Sequence, residues 1–300
     1  MSEKIVECVP NISCGNSPET VEKIADAVRR SGGCRLAQVE SDQDHNRSVL
    51  TFFGSPENAV MAAVEMTRTA AGLIDLRTHR GVHPRIGAVD VIPFVPIRGM
   101  DMKEAAACAS KCAELIWNEI GIPCYLYGEA ARVPGRRNLA DVRRGGFEGL
   151  PEKMKLPEWK PDFGGTEPHP TAGASAVGAR DFLIAFNFEL ATDDVKTARR
   201  IASAIREKNG GLKGIKALGL YLASRNKAQV SVNVCSYRET PLWKLCETVE
   251  ALAQKLGTEV TGTELIGLVP DDAMAETAAH YMKTYNFNRD ALIGEEIKGL

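Results

Sequence analysis

Two periodicities alternate along the chain, and each change from one to the other marks an element boundary. Residues 5–12 (IVECVPNI) are a β-rich apolar run that closes at the polar, Gly-containing stretch 13–17. Pro18 opens a helical pattern over 18–31, in which Val21, Ile24, Ala25 and Val28 recur at intervals of three and four. Gly32 and Gly33 stop it. Strand patterns at 35–40 and 48–53 flank the very polar loop SDQDHNR, which reads as a solvated turn. Pro56 begins a second helix running to residue 74, and 83–96 alternates as a strand would. The order so far is β-α-β-β-α-β. A helix at 101–120 and a strand at 123–127 extend it.

From 128 to 179 the regularity collapses into Gly- and Pro-rich sequence such as RVPGRR, RRGGFEGLP and PDFGGTEPHPTAG. An irregular stretch this long is usually functional or a linker. The same order then restarts: strand 182–190, helix 193–208, strands 215–222 and 229–235, helix 241–256, strand 259–269 and a closing helix 271–285. Right-handed crossovers put both helices of such a unit on one face of a four-stranded sheet. The expected fold class is α/β (α+β) with two ferredoxin-like βαββαβ subdomains, residues 1–179 and 180–300. Each would have a second sheet face to bury against something else.

Length agrees with that division, since 300 residues at roughly 150 per domain suggests two. Lys and Arg number 37 and Asp and Glu 39, so the net charge is 37 − 39 = −2. A nucleic-acid-binding domain usually carries a basic excess, and none is present. No apolar run approaches the ~18 residues of a membrane span, and the N-terminus lacks a secretory pattern, so a cytoplasmic location is expected. The eight cysteines are dilute and scattered through helix-like and strand-like segments, as reduced core thiols are.

Chemistry concentrates in THRGVHPR at 78–85, which places His79 and His83 four apart. A metalloprotease helix needs Glu after the first His, and Gly-Val followed by Pro makes poor helix, so no metal is expected. The imidazoles are either solvated on a strand-entry loop or functional. Arg77, Arg80 and Arg85 surround His83; nearby cations keep an imidazole neutral and available as a base, and they favour an anionic substrate. A second basic stretch comprises Arg132, Arg136, Arg137, Arg143 and Arg144. It is either a solvated turn or a cationic rim suited to carboxylates. No Walker loop or dinucleotide fingerprint occurs.

The blocks VECVPNIS (6–13), THRGVHPRIGAVDVIPFVPIRG (78–99), YLYGEAAR (125–132), LPEKMKLPEWKPDFG (150–164), GARDFLIAFNFEL (178–190) and AQVSVNVCSYRETPLW (228–243) resemble the hallmark segments of the formiminotransferase family. The likeness covers nearly the whole chain. It implies two α/β subdomains with a folate-binding crevice between them, a homodimer, and tetrahydrofolate as co-substrate. The implied reaction moves a formimidoyl group between a glutamate derivative and N5 of tetrahydrofolate, in histidine degradation. The family's catalytic histidine falls on His83. Its folate-binding stretch falls on Gly164, Gly165, Thr166, Glu167, Pro168, His169, Pro170, Thr171, Ala172 and Gly173, here without the aromatic residues some members carry. Its assisting acid falls on Glu40, with Glu in place of Asp. Folate and glutamate both bring carboxylates, for which Arg47 and Arg85 are the candidate partners. Two alternatives keep the fold: formyl transfer from N-formylglutamate, and folate binding without catalysis.

Overall fold

The computed structural model describes residues 4–287. The chain divides into two compact units, Met1–Asp181 and Phe182–Leu300. The first opens with two short strands, β1 (Ile5–Cys8) and β2 (Asn11–Ile12), which are the two halves of one run interrupted beside Pro10. There follow α1 (Pro18–Arg30), β3 (Cys34–Asp42), β4 (Arg47–Gly54), α2 (Pro56–Leu73), β5 (Val89–Arg98), α3 (Met102–Ile120) and β6 (Cys124–Gly128). Two short helices, α4 (Leu139–Val142) and α5 (Gly146–Lys153), and a strand, β7 (Ser175–Ala179), complete it.

Local chemistry explains these bounds. Ser17 caps α1 by accepting from the Thr20 N–H, with Pro18 in the first turn. Asp101 and Glu104 form a reciprocal capping box on α3, and Gly121 ends that helix in the left-handed region at φ 80°. Both devices satisfy backbone groups that a helix end leaves orphaned.

The strands of this unit lie in the order β3, β4, β1/β2, β5, β7, β6. Neighbours are antiparallel from β3 to β5 and parallel from β5 to β6. One sheet face packs under α1, α2 and α3, burying Val6, Cys8, Ile12, Leu50, Phe52, Ile92 and Phe94 against Ile24, Val28, Met66 and Ile116. Each such side chain contributes about 1.5–3 kcal/mol. The other face is mixed in character. Over β5, β7 and β6 it carries Val91, Tyr125, Tyr127 and Ala176, which α4 and α5 cover with Val142, Leu150 and Met154. Toward β3 it turns polar: Asp42 stands opposite Arg47, Gln38 opposite Thr51, and Glu40 and Asn11 both pair with Val49.

Two elements depart from the sequence pattern. The stretch 83–96 becomes a strand only from Val89, because Asp90 accepts from the Ile86 N–H (2.8 Å) and bends the preceding segment into a loop. Inside the irregular region, SAVGA forms β7, whose small residues carry no legible alternation yet fill the sheet between β5 and β6.

The second unit contains β8 (Ile184–Leu190), α6 (Val195–Ile205), β9 (Ile215–Leu222), β10 (Lys227–Val234), α7 (Leu242–Lys255), β11 (Val260–Ile266) and α8 (Asp271–Met282). Its sheet order is β11, β8, β10, β9, antiparallel throughout. Numbered within each β-α-β-β-α-β unit, this is fourth, first, third, second, the same order as the core of the first sheet. Phe188, Leu190, Val230 and Val232 pack on Ile201, Leu245 and Val249. The closing helix stops at Met282, short of residue 285, because Lys283 turns left-handed at φ 56°. Among the described residues no helix is long and apolar enough to cross a membrane.

Part of the irregular region hangs on one buried ion pair. Arg136 donates to Asp162 (2.8 Å), both side chains being about 5% exposed, and Asp162 also accepts from the Leu126 N–H of β6. Removing one partner of a buried pair leaves an uncompensated charge, which costs about 3–5 kcal/mol. Asp162→Ala is therefore expected to lower the unfolding free energy of the first unit by that amount in a urea titration. A loss below 1 kcal/mol would show that the pair does not anchor the segment.

Candidate active site

Three loops at one end of the first sheet converge on His83: residues 13–17 after β2, the β3–β4 hairpin turn at 43–46, and the α2–β5 loop at 74–88. Asn46 clips them together. Its backbone is left-handed (φ 45°), a conformation Asn tolerates better than most residues. Its side-chain Oδ1 accepts from the Gly15 N–H (2.9 Å) and the Asn16 N–H (3.3 Å), and its Nδ2 donates to the Arg80 carbonyl (2.8 Å). The approach is so close that a Cβ on Gly15 would collide with the Asp42 carbonyl, and one on Gly81 with the His45 carbonyl. The polar loop therefore does not form a solvated turn; His45 and Asn46 are buried.

The α2–β5 loop is held from below by a second network. Arg85 Nε donates to His79 Nδ1 (2.9 Å), so His79 carries its proton on Nε2 and donates it to the Asn46 carbonyl (2.9 Å). Burial lowers the His79 pKa and keeps the ring neutral. The Arg85 guanidinium is then gripped by Glu148 at 2.8 and 3.1 Å. Arg85, a candidate for substrate carboxylates, stands here as a brace between the loop and α5.

His83 itself is half-buried. Its Nδ1 lies 2.9 Å from the Pro84 carbonyl, which can only accept, so Nδ1 holds the proton and Nε2 the lone pair. Arg47 Nη1 lies 2.6 Å from each ring nitrogen, and Arg47 Nη2 donates to Asn11 Oδ1. The His45 ring is 5.8 Å away, centroid to centroid. Burial first, then Arg47, Arg143 and His45, hold the His83 pKa well below the ordinary value. Arg143 is paired with Asp90, a carboxylate only 2% exposed. The arrangement is a neutral imidazole in a cationic hollow, able to take a proton from a substrate and to attract anions.

The remaining candidates divide. Glu40 stands on β3, on the sheet face that also bears Asn11 and Arg47, and accepts from Gln38 Nε2 (2.6 Å). The Gly164–Gly173 stretch splits in two. Its far end is tied to the His83 loop by backbone bonds, from Leu76 N to the Thr171 carbonyl and from Ala88 N to the Ala172 carbonyl, both 2.9 Å. His169 and Gly173 close a tight turn there, and His169 Nδ1 accepts from the Ala172 N–H (3.1 Å). Gly165, Thr166, Glu167 and Pro170 are exposed, while Gly164 and Pro168 are half-buried. Asn11, Asn46, Asp90 and Glu148 escaped sequence reasoning. A short polar side chain reveals its partner only when the loops are folded together, and none of these four sits in a spaced motif. Four of the thiols are held protonated: burial pushes Cys34 and Cys108 up to about 11 and Cys8 and Cys124 well above the usual range. Among the described residues no three His, Cys, Asp or Glu side chains are grouped as a metal ion would need.

Comparison with known proteins matches this architecture to a family. The model of the formiminotransferase domain, N-terminal subdomain, matches residues 5–180, and that of the formiminotransferase domain matches residues 185–297. The chain belongs to the formiminotransferase family. It is 42% identical over 285 residues to a glutamate formimidoyltransferase of Streptococcus pyogenes serotype M1, covering 95% of each chain. It is 41% identical over 296 residues to that of Thermoplasma acidophilum, covering 98% of this chain and 97% of the other. A formimidoyltransferase-cyclodeaminase of Rattus norvegicus is 44% identical over 284 residues, 93% of this chain. The chain spans about half the length (52%) of that two-activity relative.

The Asn46 clip has a measurable consequence. Asn46→Ala removes hydrogen bonds to two loops and puts a Cβ-only residue in the left-handed region, for a loss of about 2–4 kcal/mol. Calorimetry should show the lowered transition, with faster amide exchange over residues 77–85. Unchanged exchange there would mean that the loop is held by other contacts.

Proposed function

We propose that this protein is a folate-dependent glutamate formimidoyltransferase in which His83 is the general base. The observation that carries the reading is the neutral His83 ring, its tautomer set by the Pro84 carbonyl, beside the cations Arg47 and Arg143. The substrate class comes from the relatives, which share both units of the chain and are named for glutamate formimidoyl transfer. Tetrahydrofolate as acceptor and a place in histidine degradation are what membership of the family implies.

The chemistry follows from the group transferred. A formimidoyl carbon bonded to two nitrogens is an amidinium-like electrophile. N5 of tetrahydrofolate attacks it, forming the N5–C bond and a tetrahedral adduct. His83 Nε2 takes the proton that N5 sheds. The adduct then collapses by breaking the bond to the glutamate nitrogen, which receives the proton back from His83 as it leaves. No net proton is gained or lost. Holding the two reactants in line supplies much of the rate, since it converts a bimolecular step into an effectively unimolecular one. The carboxylates of glutamate and of the folate tail suit the guanidinium groups facing this hollow. Glu40, on the same sheet face as Arg47, can hold a donor group of the substrate.

Two measurements test the reading. Purified protein supplied with tetrahydrofolate should consume N-formimidoyl-L-glutamate, and His83→Ala should lower kcat by about 10²–10⁴-fold. Near-wild-type turnover in that variant would sink the base assignment, and consumption of N-formylglutamate alone would replace formimidoyl by formyl transfer. The pH profile has a defined sign. Because the His83 pKa is lowered, the ring stays neutral as pH falls through about 6.5, where an unperturbed imidazole would protonate. The acid limb of kcat/KM belongs below that point. A limb at or above 6.5 would show that another group titrates.

A further inference from the structure

We propose that Glu7 marks the end of a pterin site on the first sheet: its carboxylate receives the N3–H and 2-amino group of tetrahydrofolate, and the ring runs from there along the strand to His83. The inference rests on tetrahydrofolate being the co-substrate and names what holds its ring.

Strand register places the residues. Against β4, Glu7 stands opposite Phe53, Cys8 opposite Phe52, Asn11 opposite Val49 and Ile12 opposite Ser48. Between them the Pro10 carbonyl accepts from the Leu50 N–H, so no residue is gained or lost across the break between β1 and β2. Glu7, Val9 and Asn11 therefore project from one face. Val6, Cys8 and Ile12 pack under the helices. Glu7 is thus on the opposite face, where Asn11 accepts from Arg47 beside His83. Four residues from Glu7 to Asn11 span about 13 Å in a strand. A fused two-ring system with a hydrogen bond at each end has that length.

Hydrogen-bonding capacity along this path is unused. Glu7 is 6% exposed, and its carboxylate has no hydrogen bond or ion pair among the described residues. Arg180, the cation that acts on it, donates to the Asp181 carbonyl (2.9 Å) and hydrogen-bonds Tyr127 instead. A carboxylate buried without a partner is costly, and a ligand that brings donors offsets that cost. Two further groups stand one row nearer His83. Leu50 and Phe52 face the helices, so Thr51 projects onto the same face as Glu7. Thr51 is 1% exposed and its Oγ1 has no partner. Gln38, opposite Thr51 on β3, gives its Nε2 to Glu40 and leaves its Oε1 buried and unpartnered.

The donor pattern selects the ligand. N3–H and the 2-amino group of a pterin lie side by side and match the two oxygens of one carboxylate. The adjoining ring edge carries O4, an acceptor for the Thr51 hydroxyl, and then N5. With the amino end at Glu7, N5 lies toward Asn11, where the proposed base stands. A ring turned end for end would carry N5 away from His83 and give Glu7 no donor pair.

Binding is the test, since it needs no turnover. Calorimetry on the full chain compares 5-formyltetrahydrofolate, isosteric with the 5-formimidoyl product, with its analogue bearing hydrogen in place of the 2-amino group. The wild-type protein should bind the amino compound about 10–100-fold more tightly, the scale of a hydrogen bond to a charged group. Glu7→Gln, which keeps the side chain's shape, should lose most of that preference; a merely structural role would weaken both compounds alike and leave the preference intact. Equal affinity of the wild type for the two compounds overturns the site, whatever the variant does, and so does a preference that survives Glu7→Gln. A loss in Glu7→Gln confined to L-glutamate binding would also overturn it and assign the carboxylate to the substrate amine. The two readings fail separately: a wild type that binds neither compound defeats the folate reading and the site with it, while tight folate binding unaltered by Glu7→Gln removes only the pterin contact.

Discussion

The geometry around His83 depends on one buried carboxylate. Asp90 opens β5, the strand that joins the antiparallel and parallel halves of the first sheet, and it is 2% exposed. A charge buried that deeply persists only when its oxygens are partnered. One takes the Ile86 N–H and so turns the chain out of the sheet three residues after His83; the other takes Arg143, which docks the α4 segment beside the same loop. A single side chain thus sets where the strand begins, how the loop leaves it, and which cation stands near the imidazole.

Around that anchor the site separates two tasks that a polar loop often confuses. Holding the loop falls to neutral or fully paired groups: Asn46, the neutral His79, and Arg85 in the grip of Glu148. Left outside that bracing are His83 and Arg47, the groups to which the proposed reaction assigns proton transfer and carboxylate binding. The division has an electrostatic reason. Arg47 has no carboxylate within ion-pair distance among the described residues, and it acts on the His83 ring together with Arg143, itself paired with Asp90, to keep the ring deprotonated. Arg85, adjacent in sequence to the His-Pro pair, looked equally suited to a substrate; its partners show why nearness along the chain and availability differ.

The elements themselves were legible. The three-and-four spacing of Val21, Ile24, Ala25 and Val28 became the buried stripe of α1, and Pro18, Pro56 and Gly121 punctuate the helices where their backbone chemistry requires. The β-α-β-β-α-β order recurs in both units. Less legible was β7, because Ser, Ala, Val, Gly and Ala lie buried on both faces and a strand without a solvated face shows no alternation. The loop SDQDHNR read as solvated because its residues are polar; Asn46 is buried because each of its polar atoms finds a backbone partner in another loop.

By itself, then, the sequence determined the periodic elements, the two-unit order, the absence of a basic excess, and the presence of His83 among arginines. These follow from local rules, in which spacing and residue type act over a few positions. Tertiary structure decided which arginine meets the imidazole, which braces the loop and which pairs with Asp90. It also set the tautomers of His79 and His83, through carbonyls and guanidinium groups brought in from the fold. The physical reason is range. Propensity is written into neighbouring residues, whereas burial, pairing and the field at a ring nitrogen are sums over groups that only folding brings within a few ångströms.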